Sequence, residues 1–333
     1  MIAYKNYSKV FGRVDEFNEN RFTSYFTWKE IDQDRYFREE IFFYSGINKL
    51  QGFIYGTKNN NGLVVISEGL GGTADSYFPL ITYFVDKGWC VFAFNNTGVS
   101  GSEGEGTQGL YQSVIDLDAA LTFIERENRF TNLPVMLVGH SWGGFAVCAV
   151  LNYPHRVSAV VSFAGFNSCH EVLEEIGYSY AGKKINMLKP YLEKIENQRF
   201  GDAVQVTAID GINKTDIPVM IVQCSDDSVI RTKTTSIYAH REKITNPNVQ
   251  IVYRDGDNAT GHQRVYASSK QQEYIKWANS NWKTYYQAAH KKASLTQWAR
   301  EVNFNKALAN EIDTNLMNCI NDFFIKARTE NNP

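Results

Sequence analysis

Gly139-His140-Ser141-Trp142-Gly143-Gly144 sets a serine two residues from a glycine on either side, directly after the apolar run Val135 to Val138 and before the apolar run Phe145 to Leu151. A strand, a sharp turn and a helix are what such a serine needs, because a strained backbone there lifts its hydroxyl clear of the sheet edge and only small neighbours tolerate the turn. A serine hydroxyl is a weak nucleophile near neutral pH and needs a base, itself oriented by an acid. Downstream, Val219 to Val222 runs into Gln223-Cys224-Ser225-Asp226-Asp227-Ser228, and Val249 to Tyr253 is followed by Gly261-His262. The chain order serine, aspartate, histidine, each after a strand, suits acyl transfer with Ser141, Asp227 and His262 in the three roles.

The other histidines fit the base role less well. His140 lies inside the elbow with its ring turned from Ser141, His155 follows Pro154, His240 precedes the last strand, and His290 belongs to the C-terminal helices. His170 is the second candidate, as a substrate-facing residue. The negative charge that develops on an attacked carbonyl needs aimed N–H groups. Trp142, after the nucleophile, supplies one, and Leu70 in Glu68-Gly69-Leu70-Gly71-Gly72 the other, with Gly69 and Gly71 letting the chain approach the substrate. The same segment reads as a loose dinucleotide fingerprint, but the next strand ends in Asn95-Asn96 rather than an acid for a ribose hydroxyl.

These residues must be held by elements that alternate along the chain. Ile41 to Tyr44 and Leu50 to Tyr55 flank Ser45-Gly46-Ile47-Asn48 as a hairpin. Short apolar strands follow at Leu63 to Ile66, Cys90 to Phe94, Val135 to Val138, Val157 to Phe163, Val219 to Val222 and Val249 to Tyr253, separated by helix-spaced stretches at Tyr77 to Lys87, Leu110 to Asn128 and Phe145 to Leu151. Near-continuous apolar strands imply burial on both faces, hence an α/β chain with a mostly parallel sheet and helices on each side. The long connection from Phe163 to Val219 exceeds a crossover and predicts a helical lid over residues 166–216. Its helices should lie near Glu171 to Tyr178 and Asn186 to Asn197, the second kinked or split at Pro190. Residues 1–36 read as an N-terminal arm, 37–165 and 217–333 as the core, and the aromatic-rich C-terminal helices as cover for the sheet.

Of 333 residues, 43% are hydrophobic, and 34 Lys plus Arg balance 36 Asp plus Glu at a net charge of −2, so neither disorder nor a nucleic-acid footprint is indicated. No stretch approaches a membrane span, no apolar leader is visible, and the five cysteines are widely spaced. A cytoplasmic protein with reduced thiols is expected, with no cofactor and no metal. A homo-oligomer is compatible with the sequence.

On these residues the chain resembles the α/β-hydrolase superfamily, nearest its lysophospholipase-like, serine-aminopeptidase-like and prolyl-oligopeptidase-like members. Gly69-Leu70-Gly71-Gly72 is similar to the family's oxyanion loop, Asn95 to Gly104 to its D-x-R-G-x-G-x-S-x-G loop, and Gly139 to Gly144 to its elbow. Asp226-Asp227-Ser228-Val229-Ile230 is similar to a stretch whose second aspartate is the acid, and Gly261-His262 to its histidine motif. The resemblance implies a serine hydrolase that cleaves a carboxylic ester of a small-molecule acyl substrate, with a thioesterase, an aminopeptidase-like hydrolase or a ligand-binding receptor of vestigial activity as alternatives. Four positions depart from the family. Glu68 replaces a histidine, with its carboxylate expected in solvent; Asn95 and Thr97 replace an aspartate and an arginine; Cys224 replaces a glycine.

Overall fold

A computed structural model describes Tyr7 and residues 9–15, 26–182, 185–289 and 292–330. Eight strands form one sheet in the order β1-β2-β4-β3-β5-β6-β7-β8. They are β1 (Arg38–Ser45), β2 (Asn48–Tyr55), β3 (Leu63–Ser67), β4 (Cys90–Phe94), β5 (Val135–His140), β6 (Ala159–Phe163), β7 (Val219–Cys224) and β8 (Val249–Arg254). The hairpin β1–β2 turns on Gly46 at φ 57° and enters antiparallel to β4. Every later pairing is parallel.

The apolar runs split by alternation. Leu63 and Val65 of β3 join one core and Val64 and Ile66 the other, and Leu137 and Val138 of β5 divide in the same way. Strands β3 to β7 are buried throughout, whereas β8 lies at an edge and leaves Ile251 and Tyr253 exposed, so its apolar run is covered on one face only.

Helices α1 (Phe78–Asp86), α2 (Gln112–Arg126) and α3 (Trp142–Ala149) connect the first strands. The stripe Val114, Leu117, Leu121 and Ile124 of α2 and all of α3 pack into the first core. The insertion folds as α4 (Cys169–Ala181), α5 (Ile185–Phe200) and a short α6 (Ala208–Asn213). One helix runs through Pro190, so of the kink or split expected there the split is absent. The sequence pattern did not reveal α6. It starts on Thr207, whose Oγ1 accepts from the Asp210 amide while the Asp210 carboxylate accepts from the Thr207 amide. Cys169 and Val172 of α4 and Ala208, Ile209 and Ile212 of α6 belong to the core cluster of α2 and α3.

Three helices follow the last strand: α7 (Ser269–Ala288), α8 (Leu295–Glu301) and α9 (Thr314–Glu330). Only part of their aromatic content covers the sheet. Helix α9 inserts Leu316, Met317, Ile320, Phe323 and Phe324 into the second core, with the Phe324 ring 5.8 Å from those of Phe84 and Trp89. Helices α7 and α8 instead pack against each other, with Trp282 and Trp298 rings 5.8 Å apart and the Trp298 Nε1–H donating to Asn281. The described part of the arm buries Tyr7 and Phe11 and hydrogen-bonds along residues 98–107, while residues 1–6, 8 and 16–25 lie outside the described residues. No helix among the described residues is long and apolar enough to cross a membrane. Cys90, Cys148, Cys169 and Cys224 are buried free thiols and Cys319 is exposed.

Phe324 is fully buried between α1 and the sheet. Phe324→Ala should therefore destabilise the protein by about 3–5 kcal/mol, read as a lower urea midpoint. A loss below about 1 kcal/mol would mean that α9 is not part of the core.

Candidate active site

Strand β5 leads into α3 through Ser141, held at φ 54° and ψ −108°. A conformation of this kind costs about 1–3 kcal/mol, and the surrounding packing must impose it. The Ser141 N–H donates to the Phe163 carbonyl of β6 at 2.8 Å. Close backbone approach explains the flanking glycines: a Cβ on Gly139 would stand 2.1 Å from the Gly143 oxygen, and one on Gly143 2.1 Å from the Ser67 oxygen. Helix α3 can then start at Trp142, whose N–H, in the first turn, has no intrahelical carbonyl to donate to.

The two other loops converge on the same hydroxyl. His262 Nε2 lies 2.8 Å from Ser141 Oγ, and its Nδ1 lies 2.9 Å from Asp227 Oδ2. A carboxylate only accepts, so Nδ1 carries the proton and Nε2 presents its lone pair to the serine hydroxyl. Asp227 is held from three further sides, accepting from the Val229 amide at 2.9 Å, the Ile230 amide at 2.8 Å and Gln223 Nε2 at 3.0 Å. Burial alone would raise its pKa, but the His262 hydrogen bond and charge and the two amides outweigh this and hold it below the ordinary carboxylate value. Asp226 is exposed, and its carboxylate accepts from the Gly261 amide at 2.9 Å, tying the acid loop to the histidine loop.

Gly69, Leu70, Gly71, Gly72, Ser76, Tyr77, Gln263 and Tyr266 enclose, with Ser141, His140 and His262, a cavity of about 210 Å³. The loop 69–72 closes on itself through Gly72 N–H to the Gly69 carbonyl at 2.9 Å. Glu68 does not face solvent as expected. It is buried, and its Oε1 accepts from the Asn96 amide and Asn96 Nδ2 at 2.8 and 3.1 Å, which pins the loop after β3 to the loop after β4.

The altered positions 95 and 97 have partners of their own. Asn95 accepts from the Ala74 amide and donates to Gln51. The Thr97 amide and hydroxyl both donate to Asp116, which also accepts from Ser45 and Gln112. Burial raises the Asp116 pKa against these four donors. Asp116 went unnoticed in the sequence, although its place one residue before Leu117 on the inward side of α2, with Gln112 and Ala120 four residues either way, is a readable signal.

His170 is not among the residues lining the cavity of Ser141. It pairs with Glu193 at 3.4 Å and lines a second cavity of about 400 Å³ with Glu171, Lys189, Glu196 and Thr207. The cause is the packing of α4, which gives Cys169 and Val172 to the core and turns the intervening position outward. His155 pairs with Asp118 and Glu125, His240 pairs with Glu171, and His290 lies outside the described residues. His140, expected to face away from Ser141, is buried with its Nε2 2.8 Å from the His262 carbonyl oxygen and its Nδ1 3.0 Å from the Tyr77 hydroxyl.

A family model described as alpha/beta hydrolase fold matches residues 62–208. Among solved structures, an esterase of Pyrococcus furiosus aligns with TM-score 0.57 and 14% identity over 84% of this chain and 97% of its own. An acylaminoacyl peptidase of Pyrococcus horikoshii aligns with TM-score 0.51 and 13% identity over 71% of this chain and 39% of its own. The mouse alpha/beta hydrolase domain-containing protein 10 gives 0.50 and 16%, over 68% and 92%. At these identities the likeness is one of fold. A search of curated proteins finds no match.

Burial first and the neighbouring His262 ring second push the His140 pKa down to about 3. The unfolded chain takes up a proton here near pH 6.5, so between those values the unfolded state binds more protons and stability falls as the pH drops. Between pH 7 and pH 5 this amounts to about 2 kcal/mol. Urea unfolding should show wild type losing about that much more than His140→Gln over the same interval, and equal losses would contradict a buried neutral ring.

Proposed function

The chain has the α/β-hydrolase fold, and from that premise we propose that it is a serine hydrolase working through an acyl-enzyme on Ser141. The observation that carries this reading is the unbroken hydrogen-bond line from Asp227 through His262 to Ser141, two contacts of 2.9 and 2.8 Å. In the proposed sequence, Ser141 Oγ attacks the substrate carbonyl as His262 Nε2 takes its proton. The Leu70 and Trp142 N–H groups receive the oxyanion, and His262 returns the proton to the leaving group. Water then repeats the steps and releases the acid. Asp227, buried and charged, keeps Nδ1 protonated and stabilises the imidazolium.

A carboxylic ester is the proposed substrate, since an alcohol leaves more readily than an amine and this site needs only one proton relay. A cavity of about 210 Å³ lies below the roughly 300 Å³ at which pockets begin to enclose drug-sized ligands. Ser76, Tyr77, Gln263 and Tyr266 give it polar walls, so the acyl part should be short. Residues 166–216 are assigned as a helical cap on the core whose described side chains line the neighbouring cavity, leaving Gly69, Leu70 and Gly71 as the substrate contacts.

A fluorophosphonate should add once to wild type by intact mass and not to Ser141→Ala, and Ser141→Ala and His262→Ala should each lower kcat by about 10³-fold or more. Asp227→Asn should cost far more in kcat than Asp226→Asn, because only the first disturbs the imidazole tautomer. Labelling of Ser141→Ala, or the reverse ranking of the two aspartates, would overturn the assignment.

Against a series of p-nitrophenyl esters, kcat/KM should be highest for two to four acyl carbons (roughly what such a cavity holds) and fall at least about tenfold by ten. An optimum at ten carbons would place the acyl group outside this cavity.

A further inference from the structure

Two polar side chains beside Ser141 take no part in the proton relay, yet both are almost wholly buried: Tyr77 is 5% exposed and His140 5%. Their contacts run in one line. The Gly69 N–H donates to the Tyr77 hydroxyl oxygen at 2.7 Å, the hydroxyl meets His140 Nδ1 at 3.0 Å, and His140 Nε2 meets the His262 carbonyl oxygen at 2.8 Å. Every direction in this line is determined. A carbonyl only accepts, so the His140 proton sits on Nε2 and donates to His262. The neutral ring then presents the Nδ1 lone pair, which only the Tyr77 O–H can fill, leaving the Tyr77 oxygen to accept from Gly69.

The line therefore begins on the loop that carries Leu70 and ends on the backbone of His262, passing through the residue that precedes Ser141. Independent support comes from the space around Gly69, where an added Cβ would stand 3.0 Å from His140 Nδ1 and 3.1 Å from the Tyr77 oxygen. A larger residue at position 69 would therefore press on the line itself. We propose that Tyr77 and His140 are positioning residues, a strap that fixes the oxyanion loop and the His262 main chain at one separation across Ser141.

The strap rests on the serine-hydrolase reading for its catalytic consequence. Its physical content is that breaking one contact frees both ends together. Displacements of about 1 Å between donors and reacting groups cost on the order of 10²-fold. Loss at either Tyr77 or His140 should then have the same effect as loss at both, because a strap cut twice is no looser than one cut once.

Tyr77→Phe, His140→Gln and the double variant are to be compared with wild type in thermal unfolding, in kcat and KM on p-nitrophenyl acetate, and in the downfield proton resonance of the His262 ring. The expected result is folded variants whose kcat falls roughly 10- to 100-fold with KM within about threefold, a shifted or broadened His262 resonance, and a double variant within about threefold of the weaker single. His140→Gln keeps a donor to the His262 carbonyl and should lose less than His140→Ala. A folded Tyr77→Phe with kcat within about twofold of wild type, an unmoved His262 resonance, or losses that multiply in the double variant would each overturn the strap. If Tyr77→Phe fails to fold, His140→Gln gives the same readouts. If wild type neither hydrolyses esters nor labels with a fluorophosphonate, the hydrolase reading falls, while the His262 resonance still decides whether the strap exists.

Discussion

Everything at the site depends on the backbone of Ser141 being held at positive φ between a buried strand and a buried helix. A non-glycine residue does not adopt that conformation unless its neighbours leave it no alternative. Here they do so through contacts that exclude side chains, with Gly139 against the Gly143 carbonyl, Gly143 against Ser67, and Gly144 against Gly165. Strands β3, β5 and β6 and helix α3 are thereby packed closer than any larger residue would permit. Loops leaving those strands on one edge are delivered to the same hydroxyl, and the strain at one residue is distributed over the central sheet.

Three buried carboxylates around the elbow each join separate segments of the chain. Glu68 joins the loop after β3 to Asn96, Asp116 joins α2 to Thr97 and to Ser45 of β1, and Asp227 joins the loop after β7 to His262. Leaving such a group unmet costs about 1–3 kcal/mol, so each link holds its loops with that penalty behind it. The departures at positions 95 and 97 from the family pattern are likewise met by hydrogen bonds. Where the resemblance implied an aspartate and an arginine at positions 95 and 97, this chain has Asn95 donating to the Gln51 side-chain oxygen and Thr97 donating to the buried Asp116 carboxylate.

The insertion and the C-terminal helices show how one composition serves different surfaces. Helices α4 and α6 give apolar residues to the core of α2 and α3, while His170 and Glu171 of α4 and Glu193 and Glu196 of α5 line a cavity of their own. Helix α9 spends its Phe residues on the sheet, while α7 and α8 spend Trp282, Trp298 and Tyr286 on one another. Aromatic residues at helical spacing say that a face is buried; they do not say against what.

The sequence by itself determined the parallel core, the hairpin entry, the places of Ser141, Asp227 and His262 after their strands, and the glycines around them, because strand alternation and turn chemistry are local and leave a period and a residue type to read. It did not reveal where Glu68 points, that His170 belongs to a separate cavity, that α5 continues through Pro190, or that the Tyr77 and His140 side chains meet. Those outcomes depend on residues far apart in the chain arriving at one point: Asn96 at Glu68, Cys169 and Val172 in the core beside His170, the carbonyl of His262 at His140. A side chain's direction follows from which partner can satisfy it once burial removes water, and that partner exists only when the sheet has brought distant loops to the same edge.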